Sequence, residues 1–444
     1  MQRTLNSLKA AISRRPPFCT GTIPISSDYA TLFFKQGKSS SWLDLSQANH
    51  EGLKALSEAC EPATFGLGER DVLDEEYRKA GKMDTSNFAT KFDLTQLGIL
   101  DRIRAQLLEG ENEEKYVKAE LYKLNVYGKD GASSIHIYSM ISTAGKGSFF
   151  KSHKDTPRGD TMFGSLVVVF PTTHEGGALK LRHDDEEWTF DSAVLTREES
   201  TPSIAYIAFY SDVDHEVALV TAGYRVTLTY NLFLDSNPGV PLPKSVQPVS
   251  ADDRFFLEAL KVALDDPSFL PKGGYLGFGL NFKYPVSKVQ RGRSTVSHIL
   301  KGSDAMILRV LQRLSLTPSL NAIYRACDNN VLVPASKLFG DGDSIYEDDI
   351  TQYLCENHDG KVLREFGQPI RRQRDYFGRY ERNPVRIAWV TPLTTYSSFS
   401  STYAAHGNEP TTECIYASLC IAVNLGPFGD RAAGVVYDDF DSDD

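Results

Sequence analysis

Alternating apolar and polar residues in the middle of the chain predict a series of short β-strands. Residues 165–170 are an apolar, β-branched run that ends at Pro171, which is typical of a buried strand. Residues 204–210 form a second such run, and residues 224–232 alternate with period two, so that one face is polar and the other apolar. Many short antiparallel strands joined by turns indicate a double-sheet jelly roll of the cupin type.

Amphipathic spacing predicts helices on both sides of this strand-rich region. The predicted helices are residues 44–63, 70–82, 94–108, 255–264 and 304–314. Residues 119–126 are predicted to be the strand that leads into the central block, and residues 274–279 and 387–390 to be strands of the C-terminal half. The patterns together predict an α+β fold, with a double-stranded β-helix barrel, helices that buttress it and a mixed C-terminal region.

These patterns divide the chain into four regions. Residues 1–118 are predicted to be a helical region that packs on the barrel, and residues 119–235 to be the jelly-roll domain. Residues 250–433 are a mixed α/β region whose role the sequence does not reveal, and residues 434–444 are an acidic tail. Proline and glycine in residues 237–243 are typical of a linker.

Composition indicates an intracellular globular protein. Of its 444 residues, 41% are apolar and 24% are charged, and 48 basic residues are outnumbered by 58 acidic ones. This charge balance argues against a nucleic-acid surface, and no apolar run approaches the length of a membrane span. The six cysteines lack metal-binding spacing, so we expect reduced thiols in a cytoplasmic or nuclear protein. Basic residues within 1–17 leave a mitochondrial presequence open, although we favour a first amphipathic helix.

The strongest chemical signal is a set of two histidines and one aspartate. His153 and Asp155 form a His-x-Asp pair, and residues two apart on a strand point to the same side, so both can reach one ion. His215 must come from another strand. Two imidazoles and one carboxylate, with adjacent positions left open, are the ligand set of non-haem Fe(II) oxygenases. A lone His-x-Asp pair is common by chance, but His215 and an arginine ten residues later favour a metal site.

Arg225 is the arginine that follows His215 by ten residues. It shares a strand face with Thr227, and a polar inward face that carries one arginine fits a barrel that holds an anionic ligand. A guanidinium is always charged and binds carboxylates through two parallel hydrogen bonds. The alternative is that Arg225 pairs with an acid on a neighbouring strand. His174 and His183 flank a turn and are predicted to be exposed, and Glu216 is predicted to make a structural pairing.

These residues resemble the 2-oxoglutarate/Fe(II)-dependent oxygenases, and in particular their prolyl 4-hydroxylase-like branch. That branch has a Tyr-x-x-Gly-x-x-aromatic-x-x-His-x-Asp block, then a Gly-Gly turn, His-Glu-Val and a basic residue ten positions on. The matching positions here are His153, Asp155, Gly176, Gly177, His215, Glu216, Val217 and Arg225. The resemblance is specific over residues 147–234, whereas the C-terminal half looks like that of fungal oxygenases of unknown substrate.

One departure from the family pattern affects the tyrosine position. Residues 130–145 interrupt the block, and excising about sixteen residues would align Tyr127, Gly147 and Phe150 with the family spacing. We hypothesise an inserted surface loop or a translated retained intron, which transcript sequencing would distinguish. A real insertion lengthens the approach to the iron and leaves Tyr127 open between cosubstrate contact and packing.

The resemblance implies a cofactor set and a reaction. Fe(II) would be held by His153, Asp155 and His215, and the far carboxylate of 2-oxoglutarate by Arg225. Thr227 and Tyr127 would complete the cosubstrate site. O₂ is the second cosubstrate, and ascorbate is an accessory reductant in the family. The reaction releases succinate and CO₂ and hydroxylates a C–H bond, either of a prolyl residue in a protein or of another substrate.

Two other functions remain open from the sequence. One is a jelly-roll interaction module that binds metal without turnover, and a complete ligand triad argues against it because degenerate members usually lose a ligand. The other is a cupin dioxygenase that does not use 2-oxoglutarate. Arg225 argues against the latter because such an enzyme needs no carboxylate clamp there.

Overall fold

The computed structural model of the protein divides into two compact units. The jelly-roll unit comprises Pro16–Leu108 and Glu113–Leu242, and the C-terminal unit comprises Met1–Arg15, Glu109–Asn112 and Pro243–Asp444. The described residues are 1–12, 16–63, 65–67, 70–72, 78–108, 115–128, 148–156, 158–159, 161–197, 201–235, 251–284, 300–326, 329–339, 344–345, 350–368, 384–406 and 410–435. No helix among these residues is long and apolar enough to span a membrane.

The helices are short and lie in both units. They are α1 (Gln2–Ala11), α2 (Ser27–Ala30), α3 (His50–Ala59), α4 (Ile99–Leu107), α5 (Ser192–Arg197), α6 (Ala251–Leu264), α7 (Gly302–Arg313) and α8 (Ile350–Asn357), with a 3-10 turn at Ala335–Lys337.

Strands dominate the jelly-roll unit. They are β1 (Phe18–Pro24), β2 (Thr31–Gln36), β3 (Ser39–Asp44), β4 (Glu61–Pro62), β5 (Phe65–Leu67), β6 (Arg70–Val72), β7 (Arg78–Lys79), β8 (Gly81–Asp84), β9 (Phe88–Thr90), β10 (Tyr116–Gly128), β11 (Phe149–His153), β12 (Met162–Val169), β13 (His174–Gly176), β14 (Leu179–His183), β15 (Glu186–Phe190), β16 (Ser203–Tyr210), β17 (Asp214–Val217) and β18 (Val220–Asp235). The C-terminal unit contributes β19 (Gly274–Gly279), β20 (Pro318–Ala326), β21 (Asn329–Pro334), β22 (Ser344–Ile345), β23 (Lys361–Glu365), β24 (Val385–Thr391), β25 (Ser398–His406) and β26 (Pro410–Leu425).

Two sheets form the predicted double-stranded β-helix. The larger sheet has the order β1-β16-β12-β18-β10-β8-β4, with β13 paired to β18, and the smaller sheet has the order β15-β14-β17-β11-β7. From β10 to β18 the chain crosses repeatedly between the two sheets, as in a jelly roll. Apolar residues of β12 and β16 are buried along almost their full length, which accounts for their uninterrupted β-branched sequences. The α+β jelly-roll prediction is confirmed.

The N-terminal part of this unit contains more strand than predicted. The helix predicted over 70–82 is wrong, because the described residues there form β6, β7 and the start of β8. Pairing of β8 with β10 extends the larger sheet and overrides the helical preference of this charged segment. Helices α3 and α4 lie within the segments predicted for them, and α3 begins where the Asn49 side chain accepts a hydrogen bond from the Gly52 backbone N–H at 2.9 Å.

The C-terminal unit contains a closed barrel of six strands. The order β19-β24-β23-β21-β20-β26 closes on itself because β26 also pairs with β19, and β25 and β22 extend the sheet beyond β26. A buried cluster that includes Tyr275, Ile323, Ile387 and Cys420 lies among these strands. The predicted helices and strands of this half are confirmed. Predictions for residues 130–145 and 237–243, and for residues 436–444 of the acidic tail, lie outside the described residues.

Asp304, in the first turn of α7, is a buried carboxylate in the C-terminal unit. Its oxygens accept hydrogen bonds from the backbone N–H of Asn281 at 3.1 and 3.0 Å, the backbone N–H of Phe282 at 3.3 Å and the hydroxyl of Tyr284 at 2.8 Å. Burial raises the pKa of Asp304 to about 7, although these donors oppose the increase. The carboxyl therefore connects α7 to the segment that follows β19.

Asp304 is expected to make the stability of the unit depend on pH. In the unfolded chain the carboxyl titrates near 3.9, so between about pH 4 and about pH 7 the folded state holds a proton that the unfolded state has lost. The free energy of unfolding should therefore fall as the pH rises through this window, by at most about 1.4 kcal/mol per pH unit. Urea unfolding of wild type and Asp304→Asn should give curves that diverge with pH, whereas parallel curves would contradict the assignment.

Candidate metal centre

Antiparallel pairing brings the two predicted histidine ligands side by side. β11 pairs with β17 so that His153 lies directly opposite His215, and their ring centroids are 4.2 Å apart. Directly opposite residues of an antiparallel pair point to the same face of the sheet. Two imidazoles from distant parts of the sequence therefore project together from the smaller sheet.

Asp155 completes the group just beyond the end of β11. One ligand atom from each of His153, Asp155 and His215 can be chosen so that all three lie within 4.8 Å of one another. The Nε2 atom of His215 lies 3.9 Å from Oδ1 of Asp155. The three residues predicted from the sequence thus converge on one point.

Backbone carbonyls define which nitrogen of each ring points at this centre. Nδ1 of His153 lies 2.9 Å from the carbonyl oxygen of Lys151, and Nδ1 of His215 lies 3.1 Å from that of Val213. Because a carbonyl oxygen can only accept, each Nδ1 carries the proton and donates it. In its uncharged form each ring therefore keeps its Nε2 lone pair for a ligand, which is the tautomer that metal-binding histidines commonly adopt.

Asp155 is held in its ionised form and in a fixed orientation. The Ser165 hydroxyl of β12 donates a 2.6 Å hydrogen bond to Oδ2. Burial acts to raise the pKa of Asp155, but the charges of His215 and His153 and the hydrogen bond from Ser165 outweigh it and lower this pKa. Oδ1 then faces the imidazoles as an anionic donor. Ser165 was not among the predicted site residues, since nothing in the local sequence links it to Asp155.

Aromatic rings pack against both imidazoles. The Phe150 ring centroid lies 3.6 Å from that of His153, and the Phe209 centroid lies 4.7 Å from that of His215. These contacts restrict rotation of the imidazoles and replace water on one side of each ring. The donor set is therefore oriented before any ligand binds.

Arg182 of β14 ties the two ligand-bearing strands together. Its guanidinium donates to both carboxylate oxygens of Glu216 at 3.1 and 3.2 Å, to Glu187 at 2.6 Å and to the Ser152 hydroxyl at 3.2 Å. Ser152 in turn hydrogen-bonds to Asp214. Ser152 and Glu216 are the sequence neighbours of His153 and His215, so this network fixes β11 against β17. The predicted structural pairing of Glu216 is confirmed, and its hydrogen bond from Arg182 lowers the pKa of Glu216.

Arg225 lies in the interior of the unit, with part of its guanidinium unpaired. The residue is only 1% exposed, and its Nε and Nη2 atoms have no hydrogen-bond partner in the described structure. Burial lowers the pKa of Arg225, and the nearby groups Tyr127 and Asp191 act in the opposite direction. A buried ion without a close counterion costs on the order of several kcal/mol. The sequence left open that Arg225 pairs with an acid on a neighbouring strand. No such ion pair is present among the described residues.

Tyr127 and Thr227 lie beside this guanidinium. Tyr127 is directly opposite Arg225 in the β10–β18 pair, with Cζ of the arginine 5.6 Å from the tyrosine ring centroid, and Thr227 follows on the same face. Both are buried. At Gly177, where φ is +72°, a Cβ atom would lie 2.9 Å from Cδ of Arg225, so glycine provides the space that the arginine occupies.

The residues fit the cofactors that the resemblance implies. Two Nε2 lone pairs and one carboxylate oxygen match the donor set of a non-haem Fe(II) site. The orphaned Nε and Nη2 atoms of Arg225 match the two oxygens of a carboxylate. Together they suit Fe(II) and a cosubstrate with a terminal carboxylate.

Two histidines predicted to be exposed are buried, so that prediction is wrong. His174 is 3% exposed and His183 is 6% exposed, because β13 pairs with β18 and β14 lies between two strands of the smaller sheet. Burial lowers the pKa of His174 to about 4, with a smaller contribution from the charge of Arg225. His174 is therefore uncharged at neutral pH beside the arginine, with Nδ1 2.7 Å from the Thr172 carbonyl oxygen.

A family comparison agrees with this geometry. The sequence model of the 2OG-Fe(II) oxygenase superfamily matches residues 134–233. This segment carries all three residues of the triad as well as Arg225 and Thr227. The jelly-roll unit therefore contains a 2OG-Fe(II) oxygenase domain with a His-Asp-His facial triad candidate, and the superfamily and the triad together imply Fe(II) and 2-oxoglutarate. No curated protein matches the sequence closely enough to add to this.

Solved structures are distantly similar to the chain. A Pseudomonas putida prolyl-4-hydroxylase is 15% identical with a TM-score of 0.29, and the match covers 52% of this chain and 100% of that one. A Trichoplax adhaerens prolyl hydroxylase, solved with a hypoxia inducible factor oxygen degradation domain peptide fragment, is 14% identical with a TM-score of 0.29, covering 52% and 91%. A 2OG-Fe(II) oxygenase family oxidoreductase from Burkholderia pseudomallei is 16% identical with a TM-score of 0.22, covering 41% and 79%.

Arg182 is expected to support metal binding without contacting the metal. Arg182→Ala should weaken Co(II) binding roughly 10-fold, because loss of the network frees β11 to shift against β17, whereas Arg182→Lys should recover part of the affinity. Titrations followed by Co(II) visible absorption would measure this. Arg364→Ala is the matched control, since Arg364 binds Asn329 in the C-terminal unit. An Arg182→Ala affinity equal to wild type would contradict the role.

Proposed function

We propose that the jelly-roll unit is an Fe(II)- and 2-oxoglutarate-dependent dioxygenase that hydroxylates a C–H bond and releases succinate and CO₂. In this proposal, His153, Asp155 and His215 hold the iron. Arg225 binds the far carboxylate of 2-oxoglutarate, with Tyr127 and Thr227 beside it. The observation that carries the proposal is the unpaired buried guanidinium of Arg225 in the same domain as a complete facial triad.

The unpaired arginine distinguishes this function from the two alternatives. A cupin dioxygenase that does not use 2-oxoglutarate has no need of a buried cation that lacks an acidic partner. Burying the Arg225 guanidinium and the triad side chains costs desolvation free energy, which only bound ligands offset. An interaction module without turnover would therefore be more stable without these residues. The presence of both the triad and the unpaired arginine supports catalysis with a dicarboxylic cosubstrate.

The side chains of the domain position and protect the reacting groups. When bound, Fe(II) and 2-oxoglutarate supply the O₂-dependent oxidation that couples decarboxylation of the cosubstrate to hydroxylation. The Nδ1–H groups of His153 and His215 hold the imidazoles in the ligating tautomer, and Ser165 holds Oδ2 of Asp155. Arg225 fixes one end of the cosubstrate so that its other end faces the triad. Phe150 and Phe209 exclude water from the imidazoles.

The substrate is proposed only as a C–H donor that enters at the triad. A prolyl residue of a protein is the first candidate to test, because the sequence motifs resemble the prolyl 4-hydroxylase-like branch. A small molecule is the alternative. Mass gain of one oxygen in proline-containing peptides, dependent on Fe(II), 2-oxoglutarate and O₂, would support the first candidate.

The triad is expected to generate a visible absorption band when Fe(II) and 2-oxoglutarate are added together without O₂. Such a band requires the cosubstrate to chelate iron, and admitting O₂ should then release succinate. His153→Ala should lose both signals, because two remaining ligands hold iron weakly. His50→Ala, which removes an exposed histidine of α3, is the control. An undiminished band in His153→Ala would contradict the proposed ligand set.

Arg225 is expected to control affinity for 2-oxoglutarate while slightly opposing stability. Arg225→Met should weaken cosubstrate binding at least about 30-fold, because it removes one partner of a buried charge pair. Without ligand, the variant should unfold at the same temperature as wild type or higher, because an uncompensated buried charge is gone. Arg104→Met, at an arginine of α4 that pairs with Asp101, is the control. Unchanged cosubstrate affinity in Arg225→Met would exclude the assigned role.

A further inference from the structure

One face of β18 carries four polar residues, and the last of them has no partner or role in the proposed site. Arg225 and Thr227 belong to the proposed cosubstrate pocket, and the Thr229 hydroxyl accepts a 3.1 Å hydrogen bond from Nδ2 of Asn125. The remaining residue on this face is Asn231. Its backbone takes part in the sheet, but its side chain is not explained by the fold or by the proposed function.

Asn231 is buried, and its amide is unpaired. The residue is only 8% exposed. Within the part of the chain that the structure describes, no hydrogen bond reaches its side-chain oxygen or nitrogen. A buried primary amide without hydrogen bonds costs desolvation free energy, which a bound polar group would offset. Asn231 therefore resembles Arg225, because each buries polar atoms that a ligand can pair.

The strand register places Asn231 beside the metal centre. Asn231 lies directly opposite Ser165 of β12, and Ser165 lies opposite Phe209 of β16. Directly opposite residues share a face of the sheet, with Cβ atoms about 4.5–5.5 Å apart. This face points at the triad, because the Ser165 hydroxyl lies 2.6 Å from Oδ2 of Asp155. The Phe209 ring, with its centroid 4.7 Å from that of His215, confirms the direction.

Asn231 lies at the metal end of the pocket rather than at the Arg225 end. Six residues of extended strand separate the Cα atoms of Arg225 and Asn231 by roughly 20 Å. This length accommodates the arginine side chain, the proposed cosubstrate and the metal in succession. The Asn231 amide is therefore too far from the guanidinium to share the far carboxylate, and it faces the space beside the metal in which a substrate would lie.

The row of residues that contains Asn231 ends at the rim of the sheet. Phe209, Ser165, Asn231 and Glu120 are successive cross-strand partners from β16 to β10. The first three are buried, whereas Glu120 is exposed. In the described structure β8 pairs with β10 only from Lys123 onward, so the sheet does not continue beyond Glu120 at this level. A substrate that approaches over this rim would meet Asn231 before it reaches the triad.

The hydrogen-bonding groups of Asn231 are complementary to an extended peptide. An asparagine amide offers N–H donors and a carbonyl acceptor in one plane. In a hydrogen-bonded antiparallel pair, two opposite residues exchange both N–H···O bonds, so the N–H and C=O of one extended residue point to the same side. The Asn231 amide can therefore bind both backbone groups of a single substrate residue, as a neighbouring strand would.

We propose that Asn231 positions the substrate, and that its amide binds the backbone N–H and C=O of an extended peptide residue next to the carbon that is hydroxylated. The proposal rests on the proposed function and adds a specificity-determining residue to it. A site built to bind polar groups rejects analogues that lack them, because its own buried groups are then left unpaired. Asn231 would thus select peptides over compounds without a backbone amide.

Two substitutions of similar shape separate the two hydrogen bonds. Asn231→Leu removes both, whereas Asn231→Asp keeps the acceptor for the substrate N–H and replaces the donor with a group that repels the substrate carbonyl. Asn87→Leu is the matched control. Asn87 belongs to the same unit but lies just before β9, where its side chain accepts a 3.3 Å hydrogen bond from Lys35 at an exposed position.

The probes are a library of capped tripeptides and, for each peptide that gains one oxygen, the esters in which one backbone N–H is replaced by oxygen. Wild type and Asn87→Leu should have a Michaelis constant at least about 10-fold lower for the peptide than for one of its esters. Asn231→Leu should raise the peptide constant to that of the ester. Asn231→Asp should raise the peptide constant about 10-fold but still distinguish peptide from ester, because its carboxylate accepts the N–H.

Cosubstrate affinity separates a substrate role from a general structural one. Titration of the anaerobic absorption band with 2-oxoglutarate should give the same affinity, within about 2-fold, for wild type, Asn231→Leu and Asn87→Leu, because the amide lies outside the cosubstrate pocket. A loss of cosubstrate affinity in Asn231→Leu would overturn the inference. An Asn231→Asp peptide constant equal to that of wild type would overturn it even if Asn231→Leu does not fold.

Further readouts distinguish failure of this inference from failure of the proposed function. Use of no peptide by wild type, equal use of a peptide and all its esters, or a preference that survives in Asn231→Leu would overturn the inference. Succinate release without any added substrate, together with the anaerobic absorption band, reports on the oxygenase itself. If these signals are present and the peptide preference is not, only the role of Asn231 is wrong. If they are absent in wild type, the proposed function fails as well.

Discussion

The candidate metal centre depends on the register of one antiparallel pair, β11 with β17. His153 opposes His215 in this register, and a slip of one residue would turn one imidazole to the outer face of the sheet. The Arg182 network on the outer face and the phenylalanine rings inside both hold the register, so strands fix the two imidazoles, and Ser165 of β12 holds Asp155 just beyond β11. A second constraint is the buried guanidinium of Arg225, whose Nε and Nη2 atoms have no partner in the described structure and which we propose to bind the far carboxylate of the cosubstrate.

Much of the fold could be predicted because strands of the jelly roll carry strong local signals. The β-branched run in β12 reflects burial of both faces of that strand. The period-two pattern in β18 reflects an apolar face in the core and a buried polar face that carries Arg225 and Thr227. Residues 70–82 were predicted as a helix and form strands, since pairing with β10 is a long-range contact that a local pattern does not contain. Closure of the C-terminal barrel through the β19–β26 pair is long-range in the same way.

Some residues of the site could likewise be predicted from their spacing in the sequence, whereas others are brought together only by the fold. The His-x-Asp pair and the arginine ten residues after His215 follow from strand periodicity and the family motif, so all could be predicted. Ser165, Arg182 and His174 could not, because each acts on a residue distant in sequence. For His174, flanking turn residues suggested exposure, whereas pairing of β13 with β18 buries the ring beside Arg225.

We propose that the three triad side chains hold the metal and that the Arg225 guanidinium holds the far end of a cosubstrate bound to that metal. The most direct measurement is a crystal structure of the protein with Mn(II), a redox-stable substitute for Fe(II), and 2-oxoglutarate. We expect the metal bound to Nε2 of His153, Nε2 of His215 and a carboxylate oxygen of Asp155, with the far carboxylate of the ligand on Nε and Nη2 of Arg225. A metal bound elsewhere, or a ligand whose carboxylate avoids Arg225, would contradict the account.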